Sequence, residues 1–278
     1  MNETPSWMRN EETSEAALPP ELNTGVPHTA RVWNYYLGGK DNFAADREVA
    51  EQFRALVPSV AEAARADRAF LARVVKHVVA EQGIRQILDL GTGIPTADNT
   101  HEVAQRLAPE TRVVYVDNDP IVLVHARALL TSTPEGVTDY VEADVRDPDA
   151  VLRNAARTLD LTQPTAVMML GVLNHVEGDE VAQGIVRQVM AALPSGSYLA
   201  LTHPTDEISG DGAHVAVRLW NENGGTPPLV LRSRDQLAEL FTGLEVLEPG
   251  IVPPARWRPA PGLDLQDSDE FCGVGYKP

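Results

Sequence analysis

One stretch constrains this chain more than any other: Ile87-Leu88-Asp89-Leu90-Gly91-Thr92-Gly93-Ile94-Pro95-Thr96. Ile87, Leu88 and Leu90 form a short apolar run, suited to a parallel strand covered on both faces. Gly91 and Gly93 follow at once. Without a Cβ, each lets the backbone turn tightly and approach a ligand closely. Thr96, Asp98 and Asn99 then offer caps for a helix. A strand, a glycine turn and a helix at the carboxyl end of a sheet form a nucleotide-cofactor site.

Alternation on both sides of this stretch gives the fold class. Strands are expected at about 86–90, 112–116, 139–142, 166–170 and 198–202. Helices are expected between them, at about 98–108, 120–130, 147–158 and 179–193. The βαβα rhythm implies a Rossmann-like, doubly wound α/β sheet with right-handed crossovers. After the fifth strand the pattern changes. Residues 214–223 look helical, and Ser233 with Gln236 forms a capping box for a helix through Phe241. Two final strands are expected at 244–247 and 271–276, with a turn at Glu248-Pro249-Gly250 and a long proline-rich connection at 253–261.

Upstream of the sheet, helices are expected at 46–55 and 58–82, the second ended by Gly83. On that second helix Phe70, Val74, Val75, Val78 and Val79 share one face. Residues 1–24 read as a flexible tail, 25–83 as a helical arm or lid, and 84–278 as the cofactor-binding domain. Within the arm, Trp33, Tyr35, Tyr36 and Phe43 crowd around Gly38-Gly39 in a chain poor in aromatics. That density suggests a ligand cover; packing of the same rings on the core is the plainer alternative.

Composition excludes several function classes. The formal net charge is −17, and no basic stripe offsets it, so a nucleic-acid partner is disfavoured. No apolar run is long enough for a bilayer-spanning helix, and the first residues lack an apolar signal core. Cys272 is the only cysteine, which rules out an intrachain disulfide and fits a soluble cytoplasmic protein. In a predicted strand it reads as a buried small hydrophobe. The histidines are scattered and no carboxylate pair has ligand spacing, so no metal site is expected. The residues leave the oligomeric state open, a homodimer included.

The candidate site residues stand at the carboxyl ends of successive strands. Asp117 ends the second strand, where a carboxylate accepts hydrogen bonds from both ribose hydroxyls; Asp119, before Pro120, is the better cap for the next helix. Asp144 ends the third strand, placed for an adenine amino group; a solvated loop acid, with Arg146-Asp147 nearby, is the plainer alternative. Leu170 and Gly171 end the fourth, where a backbone carbonyl meets the cofactor's amino-acid end, and Asn174-His175 follow.

At this point the chain resembles the class I S-adenosylmethionine-dependent methyltransferases. Asp89-Leu-Gly91-Thr-Gly93 is similar to their glycine motif, Val116-Asp117 to their ribose acid and Ala143-Asp144-Val145 to their adenine contact. A narrower resemblance is to an actinobacterial methyltransferase-like family, formerly a domain of unknown function. It rests on residues 31–43 (Arg-Val-Trp-Asn-Tyr-Tyr-Leu-Gly-Gly-Lys-Asp-Asn-Phe), Asp67-Arg68-Ala-Phe70-Leu71, Asn99-Thr-His101-Glu102-Val-Ala-Gln105 and Tyr115-Val-Asp117-Asn118-Asp119-Pro120.

The resemblance implies a seven-stranded sheet of order 3-2-1-4-5-7-6 with strand seven antiparallel, S-adenosylmethionine as cofactor, and methyl transfer to a small-molecule acceptor. It further implies that Asp89, Gly91, Thr92 and Gly93 serve the methionine end, Asp117 and Asn118 the ribose and adenine edge, and Asp144 and Val145 the adenine. From the arm, Asn34 and Lys40 are candidates for the methionine carboxylate, and Tyr35 or Tyr36 for a cation–π contact with the sulfonium. If a base is needed, His175 is the best placed, with His203 next.

One departure discriminates between cofactors. The third glycine of the general dinucleotide motif is absent, and Pro95 stands nearby without an N–H. Such a turn is a poor diphosphate cradle, which makes an NAD-dependent dehydrogenase the runner-up among enzymes. A non-catalytic S-adenosylmethionine-binding protein is the alternative from another class.

Overall fold

The computed structural model describes residues 24–278 apart from 97, 120–121, 123–125, 127–130, 209 and 263–264. The tail expected at 1–24 lies outside the described residues except for Thr24, as does most of the helix expected at 120–130.

Seven strands make one sheet: β1 (Gln86–Leu90), β2 (Arg112–Asp117), β3 (Val137–Glu142), β4 (Ala166–Leu170), β5 (Tyr198–Pro204), β6 (Glu245–Val246) and β7 (Glu270–Tyr276). Their order is β3-β2-β1-β4-β5-β7-β6. Pairing is parallel from β3 through β5, and β7 runs antiparallel to both β5 and β6. The fold expected from the resemblance is the fold observed, including the reversed seventh strand.

Two-residue periodicity splits each central strand between two cores. Leu88, Leu90, Val114, Val116, Val167, Met169, Leu199 and Leu201 join one apolar cluster. Ile87, Val113, Tyr115, Met168, Ala200, Cys272 and Val274 join the other. Every residue of β1 is buried, as a strand covered on both faces requires. Cys272 is fully buried.

The helices are α1 (Thr29–Tyr36), α2 (Ala44–Leu56), α3 (Val60–Lys76), α4 (Thr100–Leu107), α5 (Pro148–Ala155), α6 (Asp179–Ala191), α7 (Asp211–Glu222) and α8 (Arg234–Leu240). α3 delivers Phe70, Leu71, Val74 and Val75 to the second core and then widens into a π-helical turn at His77–Glu81. The proline-rich connection is anchored there: the Arg73 guanidinium donates to the carbonyls of Pro254 and Trp257, and buried Trp257 meets Phe70 edge-on. A third apolar cluster joins α1, α2 and α7 through Val32, Tyr36, Ala50, Ala213, Ala216 and Trp220. It sits over the carboxyl ends of the strands.

Of the three caps the sequence offers after the glycine turn, Asn99 is the one used: α4 starts at Thr100, after loop residues 91–96 and 98–99. The cap is built in: the Glu102 carboxylate accepts the Asn99 N–H at 2.8 Å, so the helix is capped at Asn99, three residues beyond Thr96.

Candidate functional site

The carboxyl ends of β1, β2, β4 and β5 open into one cavity, roofed by α1, α2 and α7. Its floor begins at the glycine turn. Gly91 adopts φ +75, and a Cβ there would lie 2.5 Å from a Val172 methyl, so this glycine is fixed by packing. Gly93 adopts φ +64 with nothing within 4 Å of a built Cβ. That side is open space, and the Gly93 N–H donates to Asp117 Oδ2 at 2.9 Å.

Asp117 is thereby pre-oriented. Its Oδ1 takes the Asp119 N–H at 2.9 Å. Burial pushes its pKa up while these backbone donors pull it back. Each oxygen keeps a lone pair for a ligand hydroxyl. Asn118 lines the cavity beside it. Asp89 also lines the cavity and is buried. The Thr100 hydroxyl donates to its Oδ2 at 2.6 Å, and burial raises its pKa to about 6. Thr92, Leu170 and Gly171 complete this side.

The arm supplies the roof unevenly. His28, Val32, Trp33, Asn34, Tyr36 and Leu37 line the cavity. Tyr36 presents its ring and ties its hydroxyl to the Ala50 carbonyl at 2.9 Å. Tyr35 lies outside the lining, its hydroxyl donating to Glu51 at 2.7 Å. Successive helical residues diverge by about 100°, so one tyrosine faces inward and its neighbour does not. Lys40 is exposed and outside the lining, because the Gly38-Gly39 turn carries it away. That turn is set by Asn34: its Oδ1 accepts from the Asp41 N–H and Asn42 Nδ2, both at 3.1 Å, and it fills the space where a Gly39 Cβ would stand. Asn34 is thus both a wall of the cavity and the scaffold of the turn.

Asp144 and Val145 also stand outside the lining. Arg146 grips the Asp144 carboxylate at 2.9 and 2.6 Å and holds its pKa below the usual range. Arg146, two residues on, thus holds this carboxylate in the structure. Asp144 still reaches the cavity rim through Asn118, whose Nδ2 is 3.4 Å from its Oδ2.

The two histidines part ways. His175 lines the cavity. Its Nδ1 is 3.0 Å from the Pro228 carbonyl, which can only accept, so Nδ1 carries the proton and Nε2 is left as an acceptor. Burial lowers its pKa to about 4. His203 is absent from the lining, being wedged between the Pro204 carbonyl and the Arg232 guanidinium, with its pKa lowered to about 3 by burial.

Several side chains that shape the site carry no local sequence signal. Arg232 is buried and donates to the carbonyls of Leu173 and Val176 and to Asp179, so it holds the turn that bears Asn174 and His175. Asp67 and Arg68 of α3 and Glu270 of β7 line the cavity as well. The Asp67-Arg68 pair was visible as a family mark, but only tertiary structure brings Asp67 to Glu270.

The sequence matches a family described as S-adenosyl methyltransferase over residues 15–278. It is 43% identical to a DUF574 family protein from Streptomyces avermitilis whose crystal structure superposes with a TM-score of 0.86, covering 92% of this chain and 99% of that one. It is 38% identical to a candidate methyltransferase from Thermobifida fusca, at a TM-score of 0.84, covering 94% of this chain and 99% of that one. No curated protein matches the sequence.

Proposed function

The chain belongs to the S-adenosyl methyltransferase family and its cofactor is S-adenosylmethionine; from that premise we propose that it methylates a small molecule bound in the cavity under α1 and α7. The observation that carries the proposal is the continuity of that cavity. It runs from the Asp117 carboxylate and the open side of Gly93 to an apolar chamber under the arm.

The fit to the cofactor is chemical. Asp117 offers a carboxylate for the ribose hydroxyls, with Asn118 beside it and Asp144 behind Asn118. Gly91, Thr92, Gly93, Leu170 and Gly171 let backbone approach the amino-acid end, and Asp89 gives that end a counter-charge. With Pro95 after the glycines, the loop offers few donors for a diphosphate, which favours this cofactor over NAD. When bound, the cofactor supplies a methyl group on a sulfonium. The Tyr36 ring gives that cation an aromatic wall, while Trp33 and Leu37 exclude water.

The arm acts as a lid over the site. His175, neutral throughout the physiological range, accepts a hydrogen bond at Nε2 and orients the attacking group.

Calorimetry tests the cofactor half: S-adenosylhomocysteine binds the wild type and Asp117→Ala binds it far more weakly. Formation of S-adenosylhomocysteine across a panel of small-molecule acceptors tests the reaction. Binding with no turnover on any of them would leave a non-catalytic binder.

A further inference from the structure

Five carboxylates line the cavity among the described residues: Asp67, Asp89, Asp117, Asp269 and Glu270. Three have an occupation. Asp117 takes two backbone N–H groups, Asp89 takes the Thr100 hydroxyl, and Asp269 takes the Ser59 hydroxyl at 2.9 Å. Asp67 and Glu270 are different. They are 6% and 3% exposed, and Asp67 Oδ1 and Glu270 Oε2 are buried without a hydrogen-bond partner.

The topology explains why they meet. Thr202 and Glu270 lie on adjacent strands, where Thr202 pairs with Cys272 and Pro204 with Glu270. Both belong to the register of Tyr198, Ala200, Cys272 and Val274, the face packed against α3, and α3 carries Asp67. The Thr202 hydroxyl lies close enough to both carboxyls to lower each pKa slightly, yet it meets neither at hydrogen-bond geometry.

A second observation is independent of the acids. Asn174, in the turn after β4 and 6% exposed, also lines the cavity, and its Oδ1 is buried with no partner. Asp67 Oδ1, Glu270 Oε2 and Asn174 Oδ1 are all acceptors in search of donors. An unmet acceptor of this kind costs about 1–3 kcal/mol. The same cavity has apolar wall residues in Trp33, Phe53, Leu71, Val217, Trp220 and Leu229. Burial, and then repulsion from Asp67, push Glu270 far above the usual carboxylate range, whereas burial brings Asp67 to about 6. Both shifts mark carboxyls that resist carrying charge.

We infer that Asp67 and Glu270, with Asn174, form the recognition site for an ammonium group on an apolar acceptor. An ammonium has three N–H donors and a positive charge, which complement the partnerless acceptors Asp67 Oδ1, Glu270 Oε2 and Asn174 Oδ1. No bond is made or broken there; the pair selects the acceptor. The inference rests on the proposed methyl transfer to a small molecule and narrows its substrate class.

Matched arylalkyl probes test it: 3-phenylpropylamine and tryptamine, with their alcohol and carboxylic-acid counterparts, titrated by calorimetry into protein saturated with S-adenosylhomocysteine. The amines bind at least about tenfold more tightly than the alcohols, and the acids more weakly still. Glu270→Gln and Asp67→Asn each lower amine affinity by at least about tenfold, with alcohol affinity unchanged and S-adenosylhomocysteine affinity within about twofold of wild type. Each variant keeps the side-chain volume and either one alone suffices, so misfolding of one leaves the other as the test. Equal binding of amine and alcohol, no amine binding to the loaded protein, or full amine binding by a folded variant overturns the inference. Failure of S-adenosylhomocysteine to bind the wild type would instead overturn the proposed function itself.

Discussion

The two ends of the cavity treat carboxylates in opposite ways. At the β2 tip, Asp117 is clasped by the backbone N–H groups of Gly93 and Asp119. At the β5–β7 tip, Asp67 and Glu270 have unmet oxygens and repel one another. Both ends are built from carboxyls, Asp117 and Glu270 on one sheet edge and Asp67 on α3 above it. The difference is whether the chain itself provides donors. Where it does, the acid is held in one geometry before any ligand arrives. Where it does not, the acid keeps an oxygen without a partner, which on the inference above a ligand's donor fills. The first arrangement suits the cofactor; the second suits an acceptor.

The largest expected effect is at the clasped end. Asp117→Ala lowers S-adenosylhomocysteine affinity about 100-fold, close to 3 kcal/mol, since two charge-assisted contacts are lost. Calorimetry on the folded variant checks this, and an unchanged affinity would remove Asp117 from the site.

The neighbouring glycines sharpen the contrast between packing and binding. Gly91→Ala costs about 2–3 kcal/mol of folding stability, because it combines a left-handed backbone with a methyl pressed into Val172. Gly93→Ala costs about 1–2 kcal/mol of stability from the backbone alone but also intrudes on the cofactor's space. Urea unfolding and cofactor titration on the two variants separate these effects; equal losses of stability would contradict the assigned surroundings.

At the unmet end the expected signature is a pH dependence. The Asp67 pKa is raised in the fold to about 6. Its acid form is the one the fold tolerates, so the stability it contributes is complete below its unfolded value near 4 and is lost as pH rises through 6. His175 and His203 act the other way, because their lowered pKa values remove stability as pH falls below about 6.5. The wild-type profile is thus partly cancelled, and a difference measurement is needed. Asp67→Asn gains stability relative to wild type between about pH 4 and 6, by on the order of 2 kcal/mol, and then levels off. Parallel urea midpoints for the two proteins would expose a donor to Asp67 if no such gain occurred. The smallest effect belongs to Tyr35→Phe, which removes only a solvent-side contact with Glu51 and changes stability and cofactor affinity by less than about 0.5 kcal/mol.

The same division separates what was legible in the sequence from what was not. The glycine turn, Asp117 and the strand rhythm are local signals, each confined to a few consecutive residues, and the sheet order followed from the family resemblance those signals carry. Tyr35 and Tyr36 could not be told apart because choosing the inward one needs the helix phase against α2. Asp144 read as an adenine ligand or a solvated loop acid, because its two-point grip by Arg146 depends on loop geometry. Asp67, Arg232 and Glu270 escaped notice as site residues for a stronger reason: their partners lie tens to hundreds of positions away. His203 drew attention through its strand-end position, yet buried Arg232, 29 residues later, takes its ring nitrogen.

β7 comes last in chain order but is inserted inside the sheet, between β5 and β6. A ribosome-bound chain that has emerged only through β6 owns the glycine turn and Asp117 but has an open slot where Glu270 will sit. On the proposed assignments, every cofactor residue is synthesised before β6, whereas the acceptor pair is completed only when the final strand zips home.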